Sequence, residues 1–154
     1  MKKCLTLSGF IFIFFFALLL TGNMYGQGKI IKTSEANALF GPVLKSEKVN
    51  VQHLKMILKN TPGRVMLGFK NGRVNILDKG RKTQFPSAAA IENSDVFHVY
   101  STSVVEELLN LEKGSEVMVE ERANNIMTIT TSSPTGGVSF TLEFALLCPP
   151  DCDI

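Results

Sequence analysis

The chain is 154 residues long and carries 16 Lys or Arg and 14 Asp or Glu, a formal net charge of +2. This length suits a single domain, and removal of the predicted leader leaves 14 basic and 14 acidic residues, a neutral balance that argues against a nucleic-acid-binding protein. About 127 residues remain once the predicted leader is removed, enough to bury roughly two thirds of their surface on folding.

Residues 1–28 have the layout of a secretory signal peptide. Two lysines precede an apolar run, Leu5–Leu20, and small residues follow it, with cleavage expected after Gly26 or Gly28. The run is shorter than the ~20 residues that span a bilayer comfortably. We therefore expect a bacterial protein of the periplasm or cell exterior, which meets the membrane only through this segment before its removal. The alternative is an inner-membrane protein anchored by an uncleaved N-terminus.

Residues 29–147 are expected to form one domain, followed by a C-terminal tail, 148–154. Lys29–Lys32 and Ala38–Leu44 are interpreted as short extended segments. Asn50–Asn60 is predicted to be a helix, because its apolar residues recur at the spacing of one helical face and Asn50 can cap the first turn. These apolar residues are Val51, Leu54, Ile57 and Leu58.

A β-hairpin is predicted directly after this helix. Thr61-Pro62-Gly63 ends the helix, and alternating apolar residues then flank Asn71-Gly72. An Asn-Gly pair in this setting favours a type I′ turn, since both positions need a positive φ. The turn sets the register, which places Phe69 opposite Val74 and Leu67 opposite Ile76 on the core side.

A second helix and hairpin are predicted after a strand over Asp95–Tyr100. Ser103 and Glu106 form a capping-box pattern at the start of the helix, which Gly114 ends. In the following hairpin the apolar residues of both strands fall at odd positions, Val117 and Val119 before the turn and Met127 and Ile129 after it. For both sets to face the core, the residue numbers of paired residues must add up to an even number. This requires a loop of three residues, with an Asn in the left-handed conformation.

The last strand is predicted from the strict alternation of residues 138–146. Large apolar residues occupy the even positions, whereas Ser139, Thr141 and Glu143 lie between them. We expect one buried face and one solvent-exposed face, and Thr128–Ser133 is interpreted in the same way as the exposed side of a strand and its turn.

The predicted fold class is α+β, with two α-helices packed on one face of a mainly antiparallel sheet. The helix–hairpin order occurs twice, and Gly63-Arg64-Val65-Met66 loosely resembles Gly114-Ser115-Glu116-Val117-Met118. This pattern favours a duplicated α-β-β unit.

Charge is divided unevenly along the mature chain. Residues 28–82 hold 12 Lys or Arg and three acidic residues, a net charge of +9. Residues 83–154 hold two Lys or Arg and 11 acidic residues, a net charge of −9. The halves can neutralise each other within one monomer, pair head to tail between copies, or present separate faces to partners. We favour neutralisation within the monomer, because two halves that share one core are neighbours.

The candidate binding residues belong to the first hairpin and the loop after it. They are Arg64, Lys70, Arg73, Lys79, Arg81 and Lys82. One interpretation is an edge hairpin that its cations keep soluble. The other is an anion-binding face, with Met66 and Leu77 as an apolar floor between the cations.

Cysteine and histidine give little sign of a reactive site. Cys148 and Cys152 remain in the mature protein, and an exported pair favours a disulfide, with free thiols or an interchain bond as one alternative and a metal as another. Metal binding is the weakest of these, because the spacing fits no usual zinc site. His53 and His98 belong to no recognised motif, so we predict no catalytic residue, no cofactor and no metal ligand.

Three functions follow from these patterns. The first is a non-catalytic binding module that contacts an anionic polysaccharide or an acidic protein through the basic hairpin face. The second is a self-assembling structural subunit, a homo-oligomer in which basic and acidic halves pair head to tail. The third is a small hydrolytic enzyme whose dispersed site would gather around His98.

Overall fold

The computed structural model describes residues 28–86, 90–92, 95–132, 137–143 and 146–148. The predicted signal peptide and Cys152 lie outside these residues, apart from Gly28. The predictions of export and of a disulfide with Cys148 therefore stay predictions. Within the described residues, no helix is both long enough and apolar enough to cross a membrane.

The described residues form three α-helices and ten strands. The helices are α1 (Thr33–Phe40), α2 (Val51–Asn60) and α3 (Thr102–Leu111). The strands are β1 (Lys29–Lys32), β2 (Val43–Asn50), β3 (Arg64–Lys70), β4 (Arg73–Asp78), β5 (Thr83–Phe85), β6 (Phe97–Ser101), β7 (Glu116–Arg122), β8 (Ile126–Thr131), β9 (Phe140–Glu143) and β10 (Leu146–Cys148).

The strands form two antiparallel five-stranded sheets. The first has the order β1-β9-β8-β7-β2, and the second has the order β10-β6-β3-β4-β5. The predicted α+β class is confirmed. The structure adds a third helix and divides the strands between two sheets, where one sheet was expected.

The same element order, β-α-β-β-β, occurs twice, as β2-α2-β3-β4-β5 and as β6-α3-β7-β8-β9. The first strand of each repeat pairs with a strand of the other, β2 with β7 and β6 with β3. The two junctions match in detail, because Asn50 pairs with Glu116 and Ser101 with Arg64. The repeats are therefore related by a pseudo-two-fold axis, and each completes the other's sheet.

One hydrophobic core joins both sheets to α2 and α3. Equivalent helix positions are buried in the two repeats, as the predicted helical faces require. These pairs are Leu54 and Val105, Ile57 and Leu108, and Leu58 and Leu109. From the sheets, Leu67, Ile76, Val119 and Ile129 contribute fully buried side chains to the same core. Burial of this apolar surface is the main force that holds the two repeats together.

Three local predictions are confirmed. The Asn50 side chain accepts a hydrogen bond from the His53 backbone N–H at 3.1 Å, which caps α2. Lys70 pairs with Arg73 across the first hairpin turn, in the predicted register. In the second hairpin three residues separate Arg122 from Ile126, and Asn125 has a φ of 56°.

The prediction of an extended segment over Ala38–Leu44 was wrong at its start. Residues 33–40 form α1, and β2 begins at Val43 after Gly41-Pro42. Ala36 is the one residue of α1 that is buried. Helical periodicity in apolar residues could not reveal a helix that buries a single small side chain.

The predicted capping box at Ser103 was also wrong. Helix α3 begins two residues earlier than an N-cap at Ser103 implies, and Ser101 occupies the N-cap position without a side-chain bond to the helix. The Ser103 hydroxyl instead lies 2.8 Å from the Ser101 hydroxyl. The first-turn amides of α3 therefore receive no side-chain cap.

The predicted solvent-exposed face of the last strands was wrong. Thr128, Thr141 and Glu143 are buried, at 0%, 0% and 6% exposure. Helix α1 packs near β9 on this side of the first sheet. The threonines are buried without an unpaired hydroxyl because they bond to Glu120 and to one another.

The predicted single strand over residues 138–146 is divided. Its first part, β9, pairs with β8 and β1 in the first sheet. Its last part begins β10, which pairs with β6 in the second sheet. The chain thus passes from one sheet to the other within a stretch whose alternation appeared continuous.

Candidate functional site

The basic face predicted from the sequence is largely neutralised in the folded chain. The Lys70 ammonium lies 2.6 Å from an Asp95 carboxylate oxygen and 3.3 Å from Glu92. The hydrogen bond to Asp95 raises the pKa of Lys70, and the same bond lowers the pKa of Asp95. Lys70 is therefore charged but engaged with the connector between β5 and β6.

Arg73 and Arg81 are also held by other groups. Arg73 forms an ion pair with Glu47 at 2.7 Å. The Arg81 guanidinium lies 5.4 Å from the centre of the Phe97 ring and donates to the Asp95 carbonyl at 2.8 Å. Such cation–π and carbonyl contacts position Arg81 against the second sheet rather than toward solvent.

The apolar floor proposed between the cations is closed. Met66 and Leu77 are 1% and 0% exposed. They form a second hydrophobic cluster with Phe97 and Val99, against which Ile91 packs. The connector thus covers this side of the hairpin, and the hypothesis of an open apolar floor is wrong.

These contacts predict that a charge reversal at Lys70 destabilises the folded chain. In Lys70→Glu the new carboxylate would lie beside Asp95 and Glu92, where like charges repel. We expect a lower melting temperature for Lys70→Glu than for Lys70→Gln, measured by circular dichroism at low salt. Equal melting temperatures would contradict the placement of the residue-70 side chain beside these two carboxylates.

The remaining predicted cations lie at one end of the second sheet. Arg64 and Lys79 line a groove of about 250 Å³, here called the Arg64–Lys79 groove, together with Asn60, Thr61, Pro62, Asp78 and Gly80. Neither cation has an ion-pair partner in the described ranges. Lys82 is exposed in the same turn as Lys79.

The carboxylate in this groove belongs to Asp78, and it accepts hydrogen bonds from residues of its own turn. One Asp78 oxygen accepts from the backbone N–H groups of Gly80 at 2.9 Å and Lys82 at 3.0 Å, and the other accepts from Gln84 at 3.1 Å. These bonds hold the turn that presents Lys79. With two cations and one carboxylate, the groove carries one net positive charge.

The start of α3 adjoins this groove. Arg64 pairs with Ser101, the residue before the helix, and the Thr102 N–H donates to the Gly63 carbonyl at 3.0 Å. In the other repeat the position equivalent to Arg64 is held by Glu116, which pairs with Asn50 before α2. An acidic residue therefore adjoins the start of α2, whereas a cation, Arg64, adjoins the start of α3. The positive end of α3 is thus placed next to a positive side chain, with no acidic residue in its first turn.

Ion pairs between the basic and acidic halves form inside the monomer. Lys45 lies 2.9 Å from Glu121, and Lys48 lies 3.1 Å from Glu116. With the Lys70–Asp95 pair, they show the neutralisation within one chain that the sequence led us to favour. The charge division therefore requires no second copy of the chain.

The two histidines have different surroundings. His53 meets the Phe85 ring edge-on, with ring centres 5.0 Å apart. His98 is buried in β6 and lines a second cleft, so the outcome that would have ended the enzyme hypothesis, an imidazole without a pocket, does not occur. Glu121 is the one carboxylate among the described lining residues, and no cluster of metal ligands occurs in the described part of the chain.

Sequence reasoning missed the acidic partners of the basic hairpin. Glu47 and Asp95 are 26 and 25 residues away from the cations that they neutralise. Opposite charge was visible in the sequence, but the choice of partner depends on how the connector and β2 pack.

Comparison with protein-family models, characterised proteins and solved structures finds no match to this chain.

Proposed function

We propose that this protein is an exported, non-catalytic binding module that takes an anionic polysaccharide at the Arg64–Lys79 groove. The observation that carries the proposal is that two of the six predicted cations line one groove and form no ion pair with any carboxylate that the structure describes. Export follows from the signal-peptide pattern of residues 1–28, and it would place the groove among polysaccharides of the cell envelope.

The groove has the donors that an anion needs. Arg64 supplies a planar guanidinium that can bind a carboxylate or sulfate through two parallel hydrogen bonds, and Lys79 supplies a mobile ammonium. The uncapped amides at the start of α3 add a favourable field for negative charge near Arg64. An anion would relieve the repulsion between Arg64 and this helix end.

Three other predicted cations support the shape of the groove and do not contact the anion. Lys70, Arg73 and Arg81 hold the connector and β2 against the hairpin, so they fix the shape of the second sheet. Lys82 extends the positive surface beyond Lys79. The binding role proposed for the whole face thus narrows to Arg64, Lys79 and Lys82.

The test is binding of the purified mature chain to polygalacturonate, a polymer of uronic acids, by isothermal titration calorimetry at low salt. We expect Arg64→Glu with Lys79→Glu to lower the affinity about tenfold or more, because a hydrogen bond to a charged group contributes about 1.5–3 kcal/mol. Affinity for the unaltered chain should also fall steeply as salt is raised.

The matched control is Lys32→Glu with Lys113→Glu. Both lysines are exposed, Lys32 in β1 and Lys113 in the loop between α3 and β7, and the change in net charge is the same. The control should keep nearly all of the affinity. Equal losses in the two double variants, or no binding by the unaltered chain, would contradict the proposed site.

A further inference from the structure

A second cleft lies where the two repeats meet. It has a volume of about 260 Å³ and is lined by residues of β2, β3, β6, β7, β8 and the turn before β8, among them Lys45, Phe69, Val96, His98, Glu121 and Met127. By pairing register Lys45 corresponds to Val96, and Phe69 corresponds to Glu121. The cleft therefore lies on the pseudo-two-fold axis but has different chemistry on its two sides.

His98 is the buried polar group of this cleft. Its residue is 8% exposed, and the imidazole makes no hydrogen bond with any residue that the structure describes. Its ring nitrogens keep contact with solvent, which reaches them through the cleft, so they are accessible to a ligand there. The unpaired imidazole faces space large enough to hold a ligand.

The charges of the cleft cancel. Lys45 and Glu121 form an ion pair at 2.9 Å, and both side chains keep contact with solvent. Burial lowers the pKa of His98, although the charge of Glu121 acts in the opposite direction, so the imidazole is neutral near pH 7. A neutral imidazole offers one N–H donor and one acceptor nitrogen. A charged ligand would be attracted by one partner of this ion pair and repelled by the other, whereas an uncharged ligand leaves the pair intact.

The size and the apolar lining restrict the ligand further. A cavity of about 150 Å³ is enough to hold benzene. The present cleft is larger, and its lining residues Phe69, Val96 and Met127 provide apolar surface. An aromatic ring fits such walls, and one polar substituent would be needed to reach His98.

We propose that the cleft on the pseudo-two-fold axis binds an uncharged, single-ring aromatic alcohol of the phenol class, with its hydroxyl group bonded to the His98 imidazole and its ring between Phe69 and Met127. This site shares no residue with the Arg64–Lys79 groove. Binding at one site can therefore be tested without reference to the other.

The experiment is NMR titration of the isotope-labelled mature chain with p-cresol. We expect saturable shifts of the His98 ring signals and of the Met127 methyl signal. Toluene, which has the ring without the hydroxyl, should bind at least about tenfold more weakly, since the hydrogen bond to the imidazole is lost. Benzoate, which carries a charge, should give no shift at these residues.

Two variants with the same substitution locate the site. Val96→Trp places a large ring at the edge of the cleft and should abolish the shifts, whereas Val138→Trp should leave them unchanged. Both valines are more than half exposed, at 51% and 61%, so both variants should fold. Binding that survives Val96→Trp, equal affinity for toluene, or no shift at His98 with p-cresol would each overturn the proposal.

Discussion

Arg122→Met is expected to destabilise the protein by about 3–5 kcal/mol, the cost of removing one partner from a buried ion pair. Arg122 is 1% exposed, and its guanidinium donates to Glu120 at 2.7 Å, Thr128 at 3.0 Å and Asn37 at 2.8 Å. Methionine would leave the Glu120 carboxylate buried without its counter-charge. The free energy of unfolding from urea titration measures the effect.

Two further variants separate this explanation from a general loss of packing. Adding Glu120→Gln to Arg122→Met removes the stranded charge but keeps an acceptor for the Thr128 and Thr130 hydroxyls, so the double variant should be more stable than Arg122→Met. Arg73→Met removes an ion pair whose arginine side chain is 66% exposed, and it should cost at most about 1 kcal/mol. A double variant no more stable than Arg122→Met would refute the role given to the charge.

Phe97→Ala is expected to cost about 3–5 kcal/mol, as for other large buried aromatic residues. The Phe97 ring is 1% exposed and packs in the second hydrophobic cluster beneath Arg81. It also lies against Gly68, where an added Cβ would come within 2.7 Å of the ring. Gly68→Ala alone should therefore cost about 1–3 kcal/mol through overpacking.

The two substitutions are expected to compensate each other in part. Once the Phe97 ring is removed, the closest contact of the methyl group of Gly68→Ala is gone, the Val96 carbonyl oxygen remains at 3.1 Å, and the methyl group fills some of the cavity. The double variant should thus be more stable than the sum of the single effects predicts, with a coupling of about 0.5–3 kcal/mol. If urea titrations show that the two losses in unfolding free energy simply add, the Phe97 ring is not the reason that residue 68 is a glycine.

The sequence by itself determined the elements whose signals are local. The apolar spacing of α2 and α3, the Asn71-Gly72 turn and the odd parity of Val117 through Ile129 each act over a few residues, and each appears in the structure as predicted. Such signals are readable because a helix or hairpin must bury one face, and the period of its apolar residues reports which face that is.

Only the tertiary structure decided what covers each face and which charges meet. Polar threonines on β8 and β9 appeared exposed because alternation records polarity, not surroundings, yet α1 and Arg122 make that face a buried, hydrogen-bonded layer. The first strand of each repeat pairs with a strand of the other repeat, and this exchange decides which charged residues form ion pairs. Lys45 and Glu121, for example, are 76 residues apart in the sequence. The cleft at His98 and the Arg64–Lys79 groove exist because of this packing, which joins residues that no local pattern relates.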